Sequence, residues 1–271
     1  MPKLPLTYGR QAFGNDPVSY SLARPDYPDA LYQRLTDRCG KLSGASVFEI
    51  GAGTGLATRR LLALGISSLL AIEPDPNLSD FLRREISDDA LYIDQNLFED
   101  AVLTSFGFDL GIAATSFHWL EQSSALAKVY KTLKPGGWWA MWWTQFGSDK
   151  EYDAFQAATD HLFIKTPDSP SHGNKKGYPF ALDQEERLKD LISAGFQNAE
   201  VDIWKWTLTY DTARLVKLYR TFSPIQALAP EQREQFFQQL AIIANEKFCG
   251  YVERPCITIL YTAQTSNNMA T

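Results

Sequence analysis

Short apolar runs alternate along the first half of the chain with segments whose apolar residues recur at helical spacing. Val47, Phe48 and Ile50, with one acid at Glu49, read as a buried strand; Leu56, Leu61 and Leu62 after them read as a helix face. The same alternation predicts strands over Leu69–Asp75, Ala90–Asp94, Phe108–Ala114 and Trp138–Trp143, with a helix over Ser123–Leu133 and a helix-ending turn at Lys134-Pro135-Gly136-Gly137. Strands separated by helices point to a parallel α/β sheet. Residues 1–20 carry few periodic apolar positions and read as an N-terminal arm. Pro25 and Pro28 predict an extended segment from Tyr20 onward, before a helix near Asp29 with Leu31, Leu35 and Cys39 on one face.

Beyond residue 145 the spacing becomes irregular. Glu151–Ile164 is predicted as an amphipathic helix with Tyr152, Phe155, Thr159 and Leu162 on one side, and Thr166–Leu182 as a long Pro/Gly/Ser-rich loop. Asp183 opens a helix to Leu191 that a glycine turn at Gly195 closes. Strands follow at Val201–Thr209 and Cys256–Ala263, and between them two helical patterns, Leu215–Phe222 and Pro230–Phe248, stand as an insertion over 211–248.

The first strand runs into Gly51-Ala52-Gly53-Thr54-Gly55, a turn where absent side chains let backbone approach a ligand. Counted from Gly51, a dinucleotide fingerprint would need Gly or Ala at 56, which is Leu; a phosphate-binding P-loop would need a lysine that is not there. Glu73 closes the second strand twenty residues after Gly53, where a carboxylate matches the two hydroxyls of a ribose. Ligands of parallel α/β sheets sit at the carboxyl ends of strands, so Thr115–Leu120 should face the site as well.

Composition narrows the partners. A net charge of −6 argues against nucleic acid, which wants a basic face. No apolar run approaches the roughly 18 residues of a membrane span, and the N-terminus has no signal-peptide core. Three cysteines without a C-x-x-C suit a reducing, cytoplasmic setting, and His118, His161 and His172 are too scattered to bind a metal. A monomer or homodimer is expected.

Glu49-x-Gly51-x-Gly53-x-Gly55 resembles the first motif of the class I S-adenosylmethionine-dependent methyltransferases. Tyr20-x-x-x-Arg24-Pro25-x-Tyr27-Pro28 and His118-Trp119 resemble segments of a small-molecule subset, the type 11 or trans-aconitate methyltransferase-like group, and Leu133-Lys-Pro-Gly-Gly137 before an apolar strand is a feature of the same superfamily. The resemblance implies a Rossmann-like, mostly parallel seven-stranded sheet with helices on both faces and a helical cap. It implies one domain over 1–271: arm and helices to 44, cofactor core over 45–145, cap elements and last strands from 146. It also implies S-adenosylmethionine as cofactor, near Tyr20, Arg24, Glu49, Gly51, Ala52, Gly53, Glu73, Pro74, Ala114 and Thr115. The family's adenine-binding acid is absent after the third strand; Asn96, Leu97 and Phe98 stand there, and the Asn96 amide oxygen offers a substitute acceptor.

Methyl transfer from a sulfonium needs alignment and dryness more than a catalytic triad. His118 is the candidate general base, should the acceptor have to lose a proton. Trp119, Tyr219, Arg220 and Phe222 are candidates for the acceptor pocket, with Arg220 suited to a substrate carboxylate. The expected reaction is methylation of an oxygen or nitrogen, less readily a carbon, of a small molecule. A non-catalytic cofactor-binding descendant and a protein or RNA methyltransferase are the alternatives.

Overall fold

The alternating runs pair into one seven-stranded sheet: β1 (Ser46–Ile50), β2 (Ser68–Ile72), β3 (Leu91–Asp94), β4 (Phe108–Ala114), β5 (Leu133–Phe146), β6 (Gln197–Asp211) and β7 (Tyr251–Gln264). The computed structural model describes residues 3–10, 12–147, 153–173 and 178–267. The strand order is β3-β2-β1-β4-β5-β7-β6, with β1 to β5 parallel and β7 antiparallel to both its neighbours. This is the Rossmann-like architecture expected.

Strand alternation sorts side chains onto two faces. Phe48, Ile50, Trp139, Met141 and Trp143 point to the face covered by α5 (Gln122–Thr132) and α7 (Gln184–Ser193); Val47, Ala140 and Trp142 point to the face covered by α2 (Asp29–Cys39) and α3 (Leu56–Leu62). A third apolar cluster lies beyond the sheet. There α6 (Ala154–Thr159), α8 (Thr212–Tyr219), α9 (Ser223–Gln226) and α10 (Pro230–Phe248) pack Phe155, Leu218, Tyr219, Phe236 and Leu240 together with Tyr210 and Val252 of the overlong β6–β7 pair.

Several expectations need correction. The segment after Tyr20 is not extended throughout: α1 (Pro17–Ala23) crosses it, because Asp16 accepts a bond from the Ser19 amide at 3.0 Å and Pro17 opens the helix. Only Arg24–Pro28 is extended. Lys134–Gly137 is no free turn but the start of β5, anchored by Leu133 pairing with Phe108 and by Thr265 N–H donating to Gly137. The helix expected over 151–164 is shorter, α6 tightening into a 3₁₀ turn over Asp160–Lys165; Tyr152 lies outside the described residues. The insertion holds three helices, Pro224 opening the short second one. The remaining helix, α4 (Pro76–Glu85), follows β2 under an Asp75 cap.

Packing at the sheet centre is tight enough to test. A Cβ on Gly111 of β4 would lie 2.3 Å from the Phe48 ring, and Phe48 is itself wedged between Phe108 and Trp139. Gly111→Ala should destabilise the protein by about 1–3 kcal/mol in urea unfolding; an unchanged midpoint would show that the ring can retreat.

Candidate active site

The turn after β1 is shaped for a ligand. Gly53 has a φ of +59°, and a Cβ there would meet nothing within 4 Å, so the position borders open space. Its amide donates to Glu73 Oε2 at 2.8 Å, and the Asp75 amide donates to Glu73 Oε1 at 3.0 Å. The Glu73 carboxylate is thereby fixed at the end of β2 with lone pairs to spare. Gly51, at φ +68°, backs onto Ser116, whose hydroxyl donates to the Ile50 carbonyl and ties the β4 loop to the glycine turn.

A second acid lies beside the first. Glu49 is 1 % exposed; Thr58 donates to its Oε2 at 2.6 Å, while Oε1 has no partner. Burial raises Glu49 to about 8, with the Thr58 bond opposing and the charge of Glu73 adding. Burial raises Glu73 to about 7 against the bonds from Asp75 and Gly53.

These groups border a cavity of about 1080 Å³ at the carboxyl ends of β1, β2, β4 and β5. Of the residues expected at the cofactor, Tyr20, Arg24, Glu49, Gly51, Ala52, Gly53, Glu73, Pro74, Leu97, Phe98, Ala114 and Thr115 line it. Phe98 is chiefly core, lying parallel to Phe48, and Lys128 holds its loop by donating to the carbonyls of Phe98, Glu99 and Ala101. Asn96 does not line the cavity: its amide donates to Asp94 on the exposed side of the turn. The apolar neighbours Pro74, Leu78 and Leu97 form the wall there instead.

The other half of the cavity lies under the arm and the cap. The Arg24 guanidinium sits between the Tyr20 and Phe222 rings, 5.4 and 5.2 Å from their centroids, and donates to the Thr221 carbonyl at 3.1 Å. Tyr27 and Thr115 share a hydroxyl–hydroxyl bond of 2.8 Å, and Thr115 holds a φ of +59°, a conformation that packing must impose on a β-branched residue. Trp119 supports the arm, against Tyr8, Phe13 and the Gly9 backbone. His118 is buried, and its Nδ1 accepts from the Trp143 indole at 2.9 Å. Burial, then Arg24 and His172, push its pKa down to about 3.

Two expected roles fail on this geometry. Arg220 points away from the cavity, pairing with both carboxylate oxygens of Glu234 at 3.1 and 3.2 Å over the Phe237 ring. Arg220 directly follows Tyr219, about 100° further round the helix, so the two do not share a face. His118 is no general base as placed, because an indole N–H can only donate and therefore occupies the lone pair of Nδ1. Sequence reasoning missed Trp143 as a site residue, placing it only in the fifth strand. Also missed were Phe13 of the arm and Phe163, Gln156 and Arg254 beneath the cap. The position of Trp143 at the carboxyl end of β5 was the available signal.

The pocket fits S-adenosylmethionine. The partnerless Glu49 Oε1 suits an ammonium donor, the fixed Glu73 carboxylate suits a ribose diol, and the space off Gly53 leaves room between them.

Comparison with known proteins agrees. Residues 48–141 match the methyltransferase domain family. An uncharacterised methyltransferase of Schizosaccharomyces pombe is 24 % identical over 259 residues, covering 94 % of this chain and 97 % of that one. A methyltransferase-like protein of the same yeast is 29 % identical over 238 residues, 87 % of this chain and 86 % of that one. Among solved structures, phosphoethanolamine N-methyltransferase 2 of Haemonchus contortus, with phosphomonomethylethanolamine and S-adenosylhomocysteine, superposes with a TM-score of 0.58 at 12 % identity, over 96 % of this chain and 59 % of that one.

The buried acids make stability depend on pH. Both fold with raised pKa values, so between about pH 4.5 and 8 the folded state keeps protons that the unfolded chain has released. Stability of the ligand-free protein should fall as pH rises through this window, by a few kcal/mol, and level off above it. Glu49→Gln should flatten the fall in thermal midpoint between pH 5 and 8; parallel curves for the two proteins would remove Glu49 as a cause.

Proposed function

We propose that this chain, which belongs to the class I S-adenosylmethionine-dependent methyltransferases, moves a methyl group to an oxygen or nitrogen of a small-molecule acceptor. The observation that carries the reading is the cavity itself. Its 1080 Å³ slightly exceeds the roughly 300–1000 Å³ of a pocket for one drug-sized ligand. That suits the donor and a small acceptor together. The two halves differ in kind: acids and glycines at the ends of β1 and β2, aromatic rings with a few polar groups under the cap. The arm lies across the opening, Leu4 donating to the Asp168 carbonyl at 2.8 Å and Arg10 pairing with Glu99 at 3.0 Å. A folded protein or an RNA strand would have to displace it, which favours a small acceptor.

When bound, S-adenosylmethionine supplies a methyl group on a sulfonium that is already activated for in-line displacement. The chain's part is alignment and exclusion of water. Glu73 would hold the ribose and Glu49 the amino group, with Pro74 and Leu97 against the adenine. Tyr20 of α1 and Arg24 just after it border the other half, beside Phe222 of the cap. On the acceptor side Trp143, Phe146, Phe163, Tyr219 and Phe222 keep the cavity dry, and Gln145, Gln156 and Arg254 supply orienting polar groups. The cysteines Cys39, Cys249 and Cys256 are unpaired, which favours a cytoplasmic setting, and no helix among the described residues is long and apolar enough to cross a membrane.

The test is a methyl-transfer screen of the purified protein against a metabolite extract, read as a gain of one methyl mass. Turnover only on macromolecular fractions would refute the small acceptor. For the donor site, Glu73→Ala should weaken S-adenosylhomocysteine by about 1.5–3 kcal/mol for each charge-assisted bond lost. Gly53→Val should block binding by filling the open space, and parent-like affinity in either variant would misplace the site. With an acceptor in hand, Tyr219→Ala should raise its KM about tenfold or more at unchanged S-adenosylhomocysteine affinity. Arg220→Ala should alter neither, and equal behaviour of the two variants would move the acceptor pocket elsewhere.

A further inference from the structure

The imidazole of His118 lines the cavity, and its surroundings fix more than its position. Trp119, Trp143 and Phe180 surround the ring at centroid distances of 5.2, 6.3 and 6.2 Å. Its one hydrogen bond among the described residues comes from Trp143 Nε1 to Nδ1, at 2.9 Å, and both partners are buried. An indole nitrogen donates and never accepts. The nitrogen it meets must be bare, so a neutral ring carries its proton on Nε2. A charged ring would set an N–H against the indole N–H. The charged or titratable groups that bear on the ring, Arg24 and His172, also oppose a positive charge there. Trp143 is in turn held on β5 by Phe180 at 5.5 Å and Tyr261 at 6.3 Å, so the indole has little room to turn away.

Resting on the small-acceptor reading above, we infer that Trp143 is a positioning residue that locks His118 as the Nε2–H tautomer, so that His118 donates a hydrogen bond to an oxygen of the methyl acceptor and takes no proton from it. The acceptor then carries a hydrogen-bond-accepting oxygen within reach of His118. Its nucleophilic atom arrives with a lone pair available, as an ionised oxygen or a neutral amine, and any proton an amine sheds goes to solvent after transfer. This also accounts for a histidine facing a site destined for a cationic donor: a neutral N–H donor suffers no repulsion from it, whereas a base would become an imidazolium beside a positive charge.

Tautomers are read directly by nitrogen-detected NMR on protein labelled in its three histidines, with His118→Gln assigning the His118 signals. The expected result is a proton on Nε2, a bare Nδ1, and no titration of the ring between pH 8 and 5. In Trp143→Phe, a conservative change in the same apolar setting, the ring should populate both tautomers. A proton on Nδ1 in the parent, titration of the parent ring in that range, or an unchanged tautomer in Trp143→Phe would each overturn the inference. None of these readings needs an acceptor, so they stand apart from the outcome of the metabolite screen. With an acceptor found, His118→Ala should lower kcat/KM about tenfold or more, and His118→Gln, whose amide N–H can replace Nε2–H, should recover most of it. Trp143→Phe should cost about tenfold, one hydrogen bond's worth. The parent's kcat/KM should show no inflection from an imidazole between pH 5 and 8. A glutamine variant as inactive as the alanine variant would return His118 to the role of base.

Discussion

Two carboxylates buried at the ends of adjacent parallel strands, Glu49 and Glu73, set the constraint that the rest of the site answers. Among the described residues no lysine or arginine pairs with either. What they have is one hydroxyl on Glu49 and two backbone amides on Glu73. Burying an acid without a cation is costly, and the cost shows as raised pKa values. A donor with an ammonium and a sulfonium offers the missing positive charge. On the proposed reading, binding of that donor would restore ionised carboxylates and with them stability that burial of the acids takes away at neutral pH.

Closing the cavity falls to segments remote in sequence. Asp168 receives Leu4, Ser169 and Ser223 share a hydroxyl bond of 3.2 Å, and Arg24 reaches the Thr221 carbonyl. These contacts join the N-terminal arm, the loop before α7 and the cap into one cover. Gly14 adds a contact on the donor side, since a Cβ there would strike the Asp75 carboxylate that caps α4. The cover thus touches the element that presents Glu73, and water exclusion from both halves depends on the same arm.

The core was legible because its signals are local. Short apolar runs located all seven strands, and the glycine turn with Glu73 pointed to one end of the cavity, since spacing along the chain fixes spacing at strand ends. The failures share another cause. Asn96 and Arg220 were chosen for their chemistry, but their partners Asp94 and Glu234 are selected by the packing of the turn and of α10. The arm looked extended because proline restricts its neighbours, yet an Asp16 cap sufficed to start a helix before Tyr20. Trp143 was hidden by its own company: it is one of four tryptophans in one strand, and three of them, Trp139, Trp142 and Trp143, are almost fully buried. Alternation tells which face a residue takes; it does not tell that Trp143, near the carboxyl end of β5, meets the β4 loop.

That strand end also explains how the two faces of the sheet cooperate. Successive residues of β5 point to opposite sides. Trp142 meets Tyr27 and Tyr32 edge-on at 5.8 and 6.2 Å, while Trp143 reaches His118 on the other face. The Trp142 carbonyl accepts the Thr115 amide at 2.7 Å, and Thr115, held at positive φ, bonds the Tyr27 hydroxyl. The end of β5 therefore fixes the extended segment after α1 from one side and the imidazole from the other, through adjacent residues on a backbone that cannot shift one without the other. Strain at Thr115 is tolerated because three bonded neighbours, Trp142, Tyr27 and the Ser116 tie to Ile50, overdetermine it. Alignment of this quality has to come from the sheet, since the reaction leaves so little for acid–base chemistry to do.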